Sequence, residues 1–229
     1  MREIAFNLNF EACIFDFDGV IVDSEPLHAQ AKQATLDHFG VSYPARLFSD
    51  FKGRPDIAFF EYVADQLAAG IATAEEMGTY KKDLYLHMFE NVPLVAGLKG
   101  FLAAARASFK KVGLATSATR RDFSLAARKY QLEPWFDVIV TGEDTLCHKP
   151  DPEPYLRALA TLHATAGQTL VIEDSPNGIR SAKSAQCVTA ALTTAFAAHA
   201  LRAAGADIVV ASFAELGQEP GMAIRNIQS

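Results

Sequence analysis

From residue 98 onward the chain repeats one pattern, a helical segment followed by a short apolar run. Helical segments are read at 98–108, 119–130, about 152–163 and 177–185. Apolar runs bounded by turn residues follow at 110–117, 136–141, 169–174, 187–192 and 207–211. Short apolar strands alternating with helices imply right-handed βαβ units and a parallel sheet covered on both faces. The apolar run at 11–16 is expected to join that sheet. Nothing strand-like stands between it and the rest. Residues 25 to about 90 read as helices: one ending near Phe39 and Gly40, one with Ile57, Phe60, Ala64 and Leu67 on a face, and one with Met77, Tyr80, Leu84 and Met88 on a face. Ser24 before Glu25-Pro26 is a candidate N-cap. The expected organisation is an α/β core of residues 1–23 and 93–229, with a small helical domain, 24–92, inserted after the first strand. The tail after Gly217 reads as a loose end.

In open α/β sheets, ligands bind outside the carboxyl ends of the strands. Polar residues gather at those ends here. The first strand runs into Phe15-Asp16-Phe17-Asp18-Gly19 and the second into Thr116-Ser117. The third is followed by Glu143-Asp144 and then His148-Lys149-Pro150, and the fourth ends in Glu173-Asp174. Alternation puts Asp16 and Asp18 on one side of an extended chain. Like charges in so apolar a run repel, and a divalent cation with oxygen ligands compensates them. Taken singly, Thr116 or Ser117 is a helix cap, Lys149 a solvated lysine, Glu173-Asp174 an exposed strand end and His28 a helix-surface histidine. Their joint placement at successive strand ends favours a site.

Composition narrows the partners. The net charge of −6 over 229 residues argues against general binding of nucleic acid or anionic membrane, so an anionic substrate needs a local attractor. No run approaches a membrane span. The N-terminal residues have no long uncharged stretch, and a signal peptide is not expected. Cys13, Cys147 and Cys187 have no ligand-like spacing and read as reduced thiols of a cytoplasmic protein.

The residue types fit metal-assisted phosphoryl transfer. Mg²⁺ favours carboxylate and carbonyl oxygens. Asp16, Asp174 and the Asp18 backbone carbonyl are candidate ligands, with Glu173 holding a metal-bound water. A carboxylate can also be the nucleophile that forms an aspartyl-phosphate. Lys149 can neutralise nucleophile and phosphate, Thr116 can donate to a phosphoryl oxygen, and backbone N–H groups near Ser117 can support the same anion.

These motifs together resemble the haloacid-dehalogenase-like superfamily, in particular its β-phosphoglucomutase-like phosphatases with a helical cap. The resemblance rests on Asp16-Phe17-Asp18-Gly19-Val20, Ala115-Thr116-Ser117, Lys149-Pro150 and Ile172-Glu173-Asp174-Ser175-Pro176-Asn177-Gly178 in family order, and covers residues 11 to 216. It implies a Rossmann-like core closed over by a cap. It implies that Asp16 is the nucleophile and a Mg²⁺ ligand, and Asp18 the general acid and then base. Thr116 and Lys149 would bind the phosphoryl group, and Asp174, assisted by Glu173, would hold Mg²⁺. Lys52 and Arg54, in the loop Lys52-Gly53-Arg54-Pro55-Asp56, would face substrate, with His28 close to the acid–base aspartate. The implied activity is Mg²⁺-dependent hydrolysis of a small phosphorylated metabolite, a sugar phosphate or similar monoester.

Two other classes share part of this pattern. A sugar-phosphate mutase of the β-phosphoglucomutase type shares the first motif and His28, but an acid, Asp56, stands where the mutase loop carries its arginine. A non-enzymatic phospho-receiver switch shares the acids, Thr and Lys, but lacks both the helical insertion and an acid two residues after its phosphorylated aspartate. Substrate identity and oligomeric state are left open by these residues.

Overall fold

The computed structural model describes residues 10–51 and 56–218. The chain divides into two compact units, Met1–Asp23 with Pro93–Ser229, and Ser24–Val92.

The elements run in the order β1 (Ala12–Phe15), α1 (Glu25–His38), α2 (Leu47–Asp50), α3 (Asp56–Gln66), α4 (Ala74–Phe89), α5 (Leu98–Ser108), β2 (Lys111–Ala115), α6 (Arg120–Tyr130), β3 (Val138–Val140), α7 (Glu153–Leu162), β4 (Thr169–Glu173), α8 (Pro176–Ser184), β5 (Val188–Leu192), α9 (Ala198–Ala203), β6 (Ile208–Val210) and α10 (Phe213–Leu216).

In the first unit the six strands form one sheet in the order β3-β2-β1-β4-β5-β6, every neighbouring pair parallel. This is the α/β, Rossmann-like sheet expected from the strand–helix alternation. β1 is central, with Ile14 beside Gly113 on one neighbour and Val171 on the other. Its alternation serves two cores. Ile14 packs with Tyr155, Ala158, Leu159 and Leu162 of α7 and Ala182 of α8. Phe15 meets Phe101 of α5 and Phe136 edge-on, each at 6.1 Å between ring centroids. A strand buried on both faces has no polar position to offer, and all four β1 residues are buried. α9 and α10 were not anticipated; each is too short to show a helical period. Of the tail after Gly217, residues 219–229 lie outside the described residues.

The chain passes out of this unit at Asp23 and returns at Pro93. The two passages are tied together: the Asp23 N–H donates to the Pro93 carbonyl at 2.9 Å, and the Val95 N–H to the Ile21 carbonyl at 3.0 Å.

The second unit is helical, around Leu36, Val41, Leu47, Phe51, Phe59, Phe60, Val63, Ala68 and Met77. Its faces differ from the expected ones. α3 buries Phe59, Phe60 and Val63, while Ile57 is 59% exposed. α4 buries Met77, Lys81, Tyr85 and Phe89, an i, i+4 row with a lysine in its middle, which is why a search for apolar period picks the adjacent row. Ser24 occupies the N-cap position of α1, but its side chain does not cap. Among the described residues, no helix is long and apolar enough to cross a membrane.

Candidate active site

The site is built at the carboxyl ends of β1, β2 and β4, beside the point where the chain changes direction in the sheet. Asp16 continues β1, its N–H donating to the Ile172 carbonyl at 2.9 Å. Phe17 turns into the core and meets Phe123 of α6 at 5.7 Å. Asp16 and Asp18 thereby fall on the opposite side. Asp16 is buried and Asp18 half-buried. The chain then turns tightly, with the Ile21 and Val22 N–H groups both donating to the Phe17 carbonyl. Gly19 lies in the left-handed region at φ 70°, and a Cβ there would run into the Asp174 carboxylate. Thr194 holds this turn from the other side, donating its hydroxyl to the Gly19 carbonyl at 2.7 Å.

Lys149 joins three strand ends. Its ammonium donates to Asp16 Oδ1 at 2.6 Å, to Glu173 Oε1 at 2.7 Å and to the Ala115 carbonyl at 3.0 Å. Burial works against this cation, but Asp16 and Glu173 outweigh it and hold the Lys149 pKa above the ordinary lysine value. Glu173 is wholly buried and both of its oxygens are engaged. Oε1 accepts from Lys149 and from the Tyr155 hydroxyl. Oε2 accepts from the Asp174 and Ser175 N–H groups and the Ser175 hydroxyl. A Cβ on Gly178 would collide with this carboxylate, so the first turn of α8 can approach it only as glycine.

Asp174 is 5% exposed. Carboxylate oxygens of Asp16, Glu173 and Asp174 lie within 4.8 Å of one another. Burial pushes Asp174 well above the ordinary carboxylate range, and the charges of Glu173, Asp16 and Asp18 push the same way. Asp16 is raised too, by burial first and by Glu173 and Asp18, against the pull of Lys149. Buried carboxylates driven upward by one another's charge are a hard-oxygen donor set that a divalent cation relieves. The acidic cluster can hold a metal.

Thr116 is buried at the end of β2. Its N–H donates to the Val140 carbonyl, and its hydroxyl oxygen accepts the Ala118 N–H at 2.9 Å, which leaves the hydroxyl proton to donate. Ser117 is exposed in the loop before α6, whose N-cap is Thr119 and not Thr116 or Ser117. Asp16, Lys149, Glu173 and Asp174 are thus brought together in the first unit, with Asp18 and Thr116 at the same strand ends.

His28 belongs to the second unit, on α1. Its Nδ1 lies 2.9 Å from Lys81 Nζ, and its ring stacks on Tyr85 at 4.1 Å between centroids. Lys81 also bonds Asp56 at 2.7 Å, and Asp56 pairs with Lys32 at 2.9 Å. Lys52 and Arg54 lie outside the described residues. Tyr155, Thr194, Ser175 and Lys81 were not singled out from the sequence. Tyr155, Thr194 and Lys81 make polar contacts with residues distant in the chain, which no local pattern shows, and Ser175 lies in the turn that leads into α8.

A model of the family described as haloacid dehalogenase-like hydrolase matches residues 13–192, a span that contains Asp16, Asp18, Thr116, Lys149, Glu173 and Asp174. The chain belongs to the haloacid dehalogenase-like hydrolase family. It is 32% identical over 178 residues to the phosphorylated carbohydrates phosphatase of Thermotoga maritima, covering 76% of this chain and 81% of that one. It is 27% identical to the fructose-1-phosphate phosphatase YqaB of Escherichia coli, covering 77% of this chain and 93% of that one. Among solved structures, a Thermotoga maritima protein provisionally named a β-phosphoglucomutase superposes with a TM-score of 0.76 at 30% identity, over 87% of this chain and 94% of that one. The likeness supports the α/β, Rossmann-like fold described above.

Proposed function

We propose that this hydrolase is a Mg²⁺-dependent phosphatase that removes phosphate from a small phosphorylated metabolite, a sugar phosphate or similar monoester, through an aspartyl-phosphate on Asp16. The observation that carries this reading is the Lys149 ammonium, held between Asp16 and Glu173 beside a second buried aspartate, Asp174. The phosphatase names of the relatives support it.

In this mechanism Asp16 attacks phosphorus, forming an acyl phosphate bond as the bond to the ester oxygen breaks. The departing alkoxide takes a proton from the Asp18 carboxyl. Asp18, now a carboxylate, takes a proton from water as that water's oxygen attacks phosphorus. Inorganic phosphate leaves and Asp16 is restored. Lys149 keeps Asp16 from repelling the incoming phosphate, and Thr116 donates its hydroxyl to a phosphoryl oxygen. Asp16, Asp174 and the Asp18 carbonyl would hold Mg²⁺, which supplies charge neutralisation of the phosphoryl oxygens. Glu173, with both oxygens engaged, serves by ordering Lys149 and the Asp174 backbone. The helical unit 24–92 acts as the cap, with Lys52, Arg54 and His28 contributing to substrate selection.

The test is phosphate release from a panel of phosphorylated sugars with Mg²⁺ and with EDTA, including conversion of glucose-1-phosphate to glucose-6-phosphate. Mg²⁺-dependent release of many phosphates per chain supports the phosphatase. Isomerisation without release favours the mutase that the structural likeness also admits. Full activity in chelator would refute the metal site.

A further inference from the structure

Tyr155, the third residue of α7, is wholly buried, yet it carries a hydroxyl into the region beneath the catalytic lysine. That hydroxyl donates to Glu173 Oε1 at 2.8 Å, the same oxygen that accepts from Lys149 at 2.7 Å. The Lys149 ammonium also lies 4.7 Å from the Tyr155 ring centroid. One side chain therefore touches both partners of the ion pair, the carboxylate through its polar tip and the ammonium through its ring.

We infer that Tyr155 is a positioning residue, which sets the Lys149 ammonium against Asp16 by sharing Glu173 Oε1 and by offering its ring face to the cation. This rests on the phosphatase reading of the site. A lysine ammonium is a point charge on a flexible four-carbon stem and has no directional preference of its own. Its three N–H bonds are assigned here to Asp16, Glu173 and the Ala115 carbonyl. The balance between the two carboxylates decides where it sits. With the tyrosine hydroxyl present, Oε1 divides its electron density between two donors. Without it, Oε1 has Lys149 alone and draws the ammonium away from Asp16. The ring face adds an attraction that keeps the ammonium over α7.

A purely structural role makes a different forecast, because Tyr155 also fills the core beside Ile14, Val171 and Ala158. Tyr155→Phe keeps the ring and its volume and removes only the hydroxyl. Positioning predicts that kcat falls about tenfold or more with KM little changed, the scale of one hydrogen bond to a charged group. The thermal midpoint should stay near that of the unsubstituted protein. An unchanged kcat in the folded variant would overturn the proposal. So would loss of the fold in Tyr155→Phe, which would assign the hydroxyl to stability.

A second measurement does not depend on turnover. The Lys149 ¹⁵Nζ–H₃ signal, assigned by its absence from Lys149→Met, should shift or broaden in Tyr155→Phe while amide signals remote from the site hold their positions. An unchanged ammonium signal would refute the positioning role even if the protein proved to have no phosphatase activity. An unsubstituted protein without phosphatase turnover would instead count against the phosphatase reading.

Discussion

Asp16, Asp18 and Asp174 are each explicable by position just past a strand end and Lys149 by the loop that follows β3, but their charges are explicable only together. The buried carboxylates of Asp16, Glu173 and Asp174 beside one lysine leave an excess of negative charge in an apolar setting, and the upward shift of Asp174 registers it. Gly19 makes this crowding possible by removing a Cβ from the face of Asp174. Gly19→Ala should therefore weaken metal binding and lower turnover. It should also destabilise the fold by about 1–2 kcal/mol through its left-handed backbone. Titration calorimetry with Mg²⁺ and thermal unfolding check the two effects separately, and an unchanged Mg²⁺ affinity would count against the crowding of Asp174. Asp18→Asn should slow hydrolysis of alkyl phosphates by about 10²–10⁴-fold, the range of lost general acid–base catalysis. Aryl phosphates, whose leaving groups need no proton, should suffer less in the first step. Equal losses with both classes in a pre-steady-state assay of that step would argue against proton donation by Asp18.

At the scale of elements, the sheet was legible in the sequence and the helical unit was legible only in outline. Every strand of the sheet is a bounded apolar run between turn residues, so the runs at 11–16, 110–117, 136–141, 169–174, 187–192 and 207–211 contain the six strands found. Helices α3 and α4 were legible as helices, but their buried faces were not. Lys81 stands in the buried row of α4 because Asp56 and His28 receive it, and no local pattern announces such a partnership. Tyr155 escaped notice for the same reason: it stands on α7 and its partner, Glu173, at the end of β4. The Lys81 cluster carries its own pH dependence. His28 is lowered to about 4, by burial first and then by the charge of Lys81, with Lys32 acting the same way and Asp56 opposing. A histidine with a depressed folded pKa stabilises the fold above its ordinary value of about 6.5. That stability should decline as pH falls below about 6.5 and be lost near 4, by about 1–2 kcal/mol after allowance for solvent. Denaturant unfolding followed between pH 7 and 4 should show this slope, and His28→Asn should flatten it. An equal slope in both proteins would remove His28 from the account.

For the molecule as a whole, the parallel order β3-β2-β1-β4-β5-β6 is what turns separate motifs into one site. It sets β1 between β2 and β4, so that residues more than a hundred positions apart share one Lys149 ammonium. The chain passages at Asp23 and Pro93 are bonded to each other, and the proposed capping by the helical unit would act through this pair. The proposed chemistry turns on one step, the bond that Asp16 forms to phosphorus. It is tested most directly by multiple-turnover phosphate release from the best substrate with Mg²⁺, comparing the unsubstituted protein with folded Asp16→Asn. Turnover should be lost while the thermal transition is retained. Turnover at the unsubstituted rate by a folded Asp16→Asn protein would contradict it.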